Sequence, residues 1–210
     1  DPIGSRGLGD VYKRQIQPYS PMAGTGLSSH ELNQPGCYRD ITDTSVTAQF
    51  ETIRETLPKG LQGDIPLLVL AWTTTPWTLP SNTALTVGSK IKYTIAETFN
   101  QYTFLPIRVL IAEKLILKQF GEKYFSVENV GQLQDYKKGD KSIPYFIQKN
   151  IAGAELVGVQ YKQLWSEAPL PYKNAKDAFR IISGDFVTTD EGTGIVHTAP
   201  TFGADDAKVA

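Results

Sequence analysis

Cysteine is almost absent from this chain: Cys37 is the only one in 210 residues. An internal disulfide is therefore excluded, and a reducing compartment, the cytoplasm, is the expected setting. Histidine is nearly as scarce, with His30 and His197 alone, so no metal-ligand spacing exists and no metal is expected. Neither sign of charge dominates. The 21 Lys and Arg against 22 Asp and Glu give a formal net charge of −1. Proteins that grip long nucleic acids by their phosphates carry a basic surplus, so contact with a short RNA end, or none, is expected. No apolar run approaches the ~20 residues of a membrane span. No charged segment followed by an apolar one marks a signal peptide, and no membrane partner is expected. The Gly-x-x-x-x-Gly-Lys-Ser/Thr phosphate loop and the Gly-x-Gly-x-x-Gly fingerprint are missing. So are the Gly-x-Ser-x-Gly elbow and any Asp-Thr/Ser-Gly pair. No cofactor is expected in this chain.

Two stretches stand out instead. Trp72-Thr-Thr-Thr-Pro-Trp-Thr-Leu-Pro-Ser-Asn82 packs five hydroxyls, two indoles, two prolines and an amide into eleven residues. A strand that merely filled one face of a core would alternate apolar and polar side chains. Here an apolar run, Ile65 to Trp72, feeds a rigid polar loop. Gly192-Thr-Gly-Ile-Val-His-Thr-Ala-Pro200 repeats the design, ending a short apolar strand in histidine, threonine and proline before Asp205 and Asp206. Strands that deliver hydrogen-bonding groups to loops are a common way to build a site.

The length allows one domain, or at most a domain with an appendage. Residues 1–15 are aperiodic and poor in large apolar side chains, and read as a remnant of cloning or sequence assembly. Residues 16–36 are rich in Pro, Gly and Ser and are expected to be an irregular lead-in. Residues 37–210 form the single domain. Strands are predicted over 45–51, 65–72, 83–87, 92–99, 107–112, 124–130, 155–161, 179–183, 186–188 and 194–198. Ser183-Gly184 reads as a hairpin turn. A short helix is expected over 113–120, stopped by Gly121, and another starts at Ala204. The fold class is mainly β with peripheral helices.

The two stretches resemble the editing domain of class I aminoacyl-tRNA synthetases, specifically the isoleucyl enzymes. Thr-Thr-Thr-Pro-Trp-Thr, where the valyl and leucyl relatives typically read Thr-Thr-Arg-Pro, and the histidine after Gly-Thr-Gly favour that branch. Tyr38-Arg-Asp-Ile-Thr-Asp-Thr-Ser-Val-Thr47 looks like the lead-in to the same domain, and the resemblance runs from about Cys37 to the end. It implies a closed β-barrel-like domain with helical insertions. It also implies hydrolysis of valine wrongly esterified to the tRNA for isoleucine. One methylene in an apolar pocket is worth only about 1–3 kcal/mol, a limit for which isoleucyl-tRNA synthetase is itself the standard illustration. The implied partners are the 3′-terminal adenosine of that tRNA carrying valine, and the rest of a synthetase chain. The ATP motifs of the synthetic site, His-Ile-Gly-His and Lys-Met-Ser-Lys-Ser, are absent. ATP and Mg are thus expected only for a synthetic domain elsewhere.

The resemblance assigns roles residue by residue. Asp206 pairs with the substrate α-ammonium, against the plainer role of a helix-end acid. Asp205 reads as a capping or surface acid. His197 is the wall that excludes a larger side chain and needs no titration to do so. Thr74 and Thr75, with Thr73, hold the carbonyl, ribose or attacking water, although consecutive threonines also simply favour β structure. Thr78, Asn82 and Thr198 lie near the pocket. Trp72 and Trp77 either line it, stack on the terminal adenine, or are core aromatics. His30 and the cluster Lys137, Lys138 and Lys141 read as solvated. After Pro200 the chain has Thr-Phe-Gly-Ala where many relatives have Gly-His-Gly-Pro, so Phe202 replaces a frequent histidine. The alternatives are a valyl or leucyl editing domain and a non-catalytic insert that binds a tRNA end.

Overall fold

The computed structural model describes residues 18–171 and 173–209. The chain divides into two compact units, Asp1–Thr42 and Asp43–Ala210. The remnant read at 1–15 lies outside the described residues. In the first unit Tyr19–Ser20 (β1) and Thr25–Gly26 (β2) pair antiparallel, with Gly24 supplying the left-handed turn at φ 67. Ser28 then opens Ser29–Leu32 (α1): its Oγ accepts the Glu31 N–H, and the Glu31 carboxylate accepts the Ser28 N–H at 2.7 Å. Two local devices thus order a stretch whose composition promised none.

The second unit carries nine strands among its described residues: Val46–Glu51 (β3), Leu67–Thr73 (β4), Ala84–Val87 (β5), Lys92–Phe99 (β6), Pro106–Ala112 (β7), Tyr124–Ser126 (β8), Ile143–Ala152 (β9), Arg180–Ser183 (β10) and Ile195–Thr198 (β11). The helices are short, Ile116–Phe120 (α2) and Ala204–Val209 (α3). Gly121, at φ 57, stops α2 as its sequence predicts. Six strands form a mixed sheet in the order β3-β4-β7-β6-β9-β8, and three form a second, β10-β5-β11. β4 runs antiparallel to β3 and parallel to β7. Residues on both faces of β4 are buried, and a strand covered on both faces needs apolar residues on each, which is why Leu-Leu-Val-Leu-Ala is unbroken there. Phe50, Val69, Leu85, Ile95, Leu110, Ile111, Tyr161 and Ile181, drawn from both sheets and the segment between them, share one core.

Several expectations are corrected. No closed barrel is found among the described residues: the six-stranded sheet ends in β3 and β8 as separate edges, and the other strands form their own sheet. The mainly β class with few helices stands. β9, the longest strand, was not expected, because Pro144 and the run Gln148-Lys-Asn150 break its alternation. A register shift opposite Ile95 and Ala96 accommodates that irregularity. The expected strand at 155–161 is a 3₁₀ turn, Gly153–Leu156, followed by single bridges from Gln160 and Tyr161. Ser183-Gly184 closes no hairpin. β10 pairs parallel to β5 and β11 antiparallel to it, so β5 separates them. Residues 186–188 form no strand, and β8 stops at Ser126.

Candidate active site

β4 and β11 bring the two polar stretches together, and Gly192-Thr-Gly194 ties them. Both glycines are left-handed, φ 69 and 71. A Cβ on Gly194 would lie 2.5 Å from the Ala112 Cβ, and one on Gly192 would lie 2.9 Å from the Trp72 ring. Between them Thr193 is buried. Its Oγ1 accepts the Trp72 N–H at 3.3 Å and donates to the Ile195 carbonyl, while its own carbonyl accepts the Ala112 N–H at 2.9 Å. One threonine thus joins the ends of β4, β7 and β11, a role that its sequence position did not announce.

Beyond β4 the prolines dictate geometry. Pro76 and Pro80 cannot donate to a ladder, and the chain coils into a 3₁₀ turn, Pro76–Ser81. The coil turns the hydroxyls toward one another. Thr73 Oγ1 accepts the Thr75 N–H at 3.0 Å and lies 3.2 Å from Thr75 Oγ1. Thr78 Oγ1 donates to the Thr75 carbonyl at 2.8 Å and sits 2.9 Å from His197 Nε2. His197 is 7% exposed. Burial lowers its pKa from the ordinary histidine value, and the charge of Asp206 works weakly the other way.

Asp206 reaches the same place from α3. One of its oxygens, Oδ2, accepts the Ala199 N–H at 3.0 Å. Gly203 is beside it because a Cβ there would lie 2.8 Å from that oxygen. Asp205 is turned away into an exposed ion pair with Lys208 at 2.9 Å. Trp72, Thr73, Thr75, Trp77, Thr78, Val196, His197, Ala199, Phe202, Gly203 and Asp206 enclose a cavity of about 390 Å³. Six of the nine residues read as site residues from sequence therefore share one cavity. Three do not line it. Thr74 faces a neighbouring cavity of about 310 Å³ that shares Trp72, Thr73 and Val196 as its wall. Asn82 lies behind His197, with its amide nitrogen 2.9 Å from Nδ1. Thr198 is fully buried, its hydroxyl 2.6 Å from that of Thr86. Trp77 is 62% exposed and cannot be a core aromatic. Among the described residues no cluster of His, Cys, Asp and Glu is arranged to hold a metal, and no helix is long and apolar enough to cross a membrane.

Comparison with known proteins bears on this geometry. No protein-family model matches the chain. An isoleucine–tRNA ligase of Bacteroides fragilis is 55% identical over 93% of the chain, which covers 16% of that protein. One from Cytophaga hutchinsonii is equally similar over the same shares. This chain is a homologue of one segment of the isoleucine–tRNA ligases. It spans about a sixth of their length. The match leaves about 7% of the chain uncovered. That is fewer residues than the 36 preceding Cys37, so kinship with the ligases extends into the lead-in, further than the motifs alone reach. The solved editing domain of the P. knowlesi cytosolic leucyl-tRNA synthetase shares the fold. Its TM-score is 0.53 at 14% identity, over 78% of this chain and 59% of that one.

Besides Thr193, sequence reasoning passed over four contributors. Val196, Ala199 and Gly203 complete the cavity wall, and Tyr161 stands behind Asn82, its hydroxyl 2.6 Å from Oδ1. The first three lay inside a quoted motif. Tyr161 is 79 positions from its partner and carried no local signal.

Proposed function

We propose that the cavity between β4, β11 and α3 hydrolyses the ester of valine on the 3′-terminal adenosine of the tRNA for isoleucine, as the editing domain of an isoleucine–tRNA ligase. The supporting observation is the convergence of one carboxylate, one buried imidazole and three threonine hydroxyls on a cavity of about 390 Å³. Asp206 binds the α-ammonium through the oxygen that the Ala199 N–H leaves free. An ester beside an ammonium is already activated, so oriented water suffices and no covalent nucleophile is required. Thr73 and Thr75 position that water and the carbonyl, while the Thr78–His197 pair, held at 2.9 Å, closes the cavity against a longer side chain. Thr74, across the shared wall, is left to the ribose. Exposed Trp77 offers its face to the terminal base. No cofactor enters this reaction. ATP and Mg would serve the synthetic part of a full-length ligase, which together with the tRNA is the proposed partner, in the cytoplasm.

Deacylation of valyl- and isoleucyl-tRNA, both on the isoleucine tRNA, by this chain and by Asp206→Ala tests the proposal. Cleavage of the valyl ester alone, abolished in the variant, is the expected result. Equal cleavage of both esters would remove His197 from the role of size limit. Cleavage of neither, with no binding of a valyl-adenosine analogue, would sink the reading.

A further inference from the structure

The Ala84 carbonyl can only accept, and the Asn82 group 2.8 Å from it is therefore the amide nitrogen. That choice turns Asn82 Oδ1 toward the Tyr161 hydroxyl, which donates to it at 2.6 Å. The second hydrogen of the amide nitrogen points at His197 Nδ1, 2.9 Å away. An amide nitrogen has no lone pair to offer, so Nδ1 must be the acceptor. The ring hydrogen is then on Nε2, facing Thr78 Oγ1, whose own hydrogen is committed to the Thr75 carbonyl. Every donor meets an acceptor in this one arrangement. A second proton on the ring would set N–H against N–H.

We propose that Tyr161 is a positioning residue of the site, acting through Asn82 to hold His197 as the uncharged imidazole with its hydrogen on Nε2. Tyr161 is itself immobilised. It is 1% exposed, bracketed edge-on by Phe50 and Phe179, and its N–H bonds to the Phe179 carbonyl at 2.9 Å. Burial keeps its phenol protonated far above the ordinary range, so it remains a donor. The groups facing the ring from other elements are few. Asp206 on α3 is the charged one; Thr73, Thr75 and Thr78, and Leu85 on β5 opposite His197, carry no charge. Resting on the editing proposal, the consequence is a choice of substrate charge. An imidazolium would repel the α-ammonium that Asp206 must bind, whereas a neutral ring leaves the cavity with a single negative charge.

The test is long-range nitrogen–proton NMR of the histidine rings in the 210-residue chain. It contains two histidines, and His30→Gln assigns them. The wild type should show the Nε2–H pattern for His197. Tyr161→Phe removes one of the two restraints on the Asn82 amide, the Ala84 carbonyl remaining, and should weaken the Nε2–H preference and move the His197 titration midpoint upward. Asn82→Asp places an acceptor at Nδ1 and should draw a proton there. An Nδ1–H pattern in the wild type, or a folded Tyr161→Phe chain with an unchanged His197 spectrum, would overturn the proposal. If Tyr161→Phe does not fold, Asn82→Asp decides: no proton moving to Nδ1 is equally fatal. Deacylation is read separately, so loss of the editing reading would leave the tautomer result standing on its own.

Discussion

His197 is a residue at which a positive charge would be costly twice over, once by desolvation and once by the amide hydrogen aimed at Nδ1. The sign of its linkage follows. Its folded pKa lies below the unfolded value of about 6.5, so the unfolded chain binds more protons in that window. Its contribution is complete above about pH 6.5 and is lost as pH falls through the folded pKa. Urea midpoints measured from pH 5 to 8 should therefore fall on acidification, and the fall should be shallower in His197→Gln. Identical slopes would mean that the ring charges freely in the fold. Asp206 opposes the shift, so Asp206→Asn should move the His197 midpoint further down, read from ring proton shifts.

At the scale of elements, the Gly-Thr-Gly clasp joins more of the site than any strand pairing does. Gly194→Ala adds a methyl where the Ala112 Cβ already lies, on a left-handed backbone. It should cost roughly 2–4 kcal/mol in chemical denaturation. Thr193→Val leaves the part-buried Trp72 N–H unmet and should cost about 1–3 kcal/mol. A change below half a kcal/mol in either would dissolve the clasp as an explanation. This is also the scale at which the sequence was legible in some places and opaque in others. β4 and β7 were readable because central strands buried on both faces are mostly apolar, β6 because it is rich in β-branched and aromatic residues, and α2 because Gly121 ends it. β9 was not, since a strand with a proline near its start and four exposed residues in its middle has no period to detect. The Ser183-Gly184 hairpin was an inference from local turn chemistry. In the structure Gly184 instead passes over β5, where a Cβ would meet Thr86 at 2.7 Å, a constraint set by a strand about a hundred residues earlier. In the site, hydroxyls and acids clustered in motifs were visible. What sits behind them, Tyr161 and Asn82 holding His197, depends on partners 79 and 115 positions apart.

Over the whole molecule the balance of charge governs how RNA would be met. A formal net charge of −1 provides no broad basic face, so the proposed contact is with the terminal nucleotide and few phosphates. Each single-strand phosphate neutralised contributes about −0.7 to the slope of log affinity against log salt. Fluorescence titrations of the isoleucine tRNA with this chain should thus give a slope of about −1 to −2. A slope near −5 would show a phosphate-gripping surface. Closure is the other molecular-scale property. Which edges meet depends on all the strands at once, and the resemblance implied a barrel where the described strands form separate sheets.

Gly192 lies outside the 390 Å³ cavity, yet the Trp72 indole that bounds the cavity rests on its bare α-carbon. The aperture is therefore adjustable from its blind side. One methyl group at position 192 would lie 2.9 Å from the indole and force it to shift, without replacing any side chain that lines the chamber. The measuring gauge of the proposed sieve is set in part by a hydrogen atom outside the chamber that it measures.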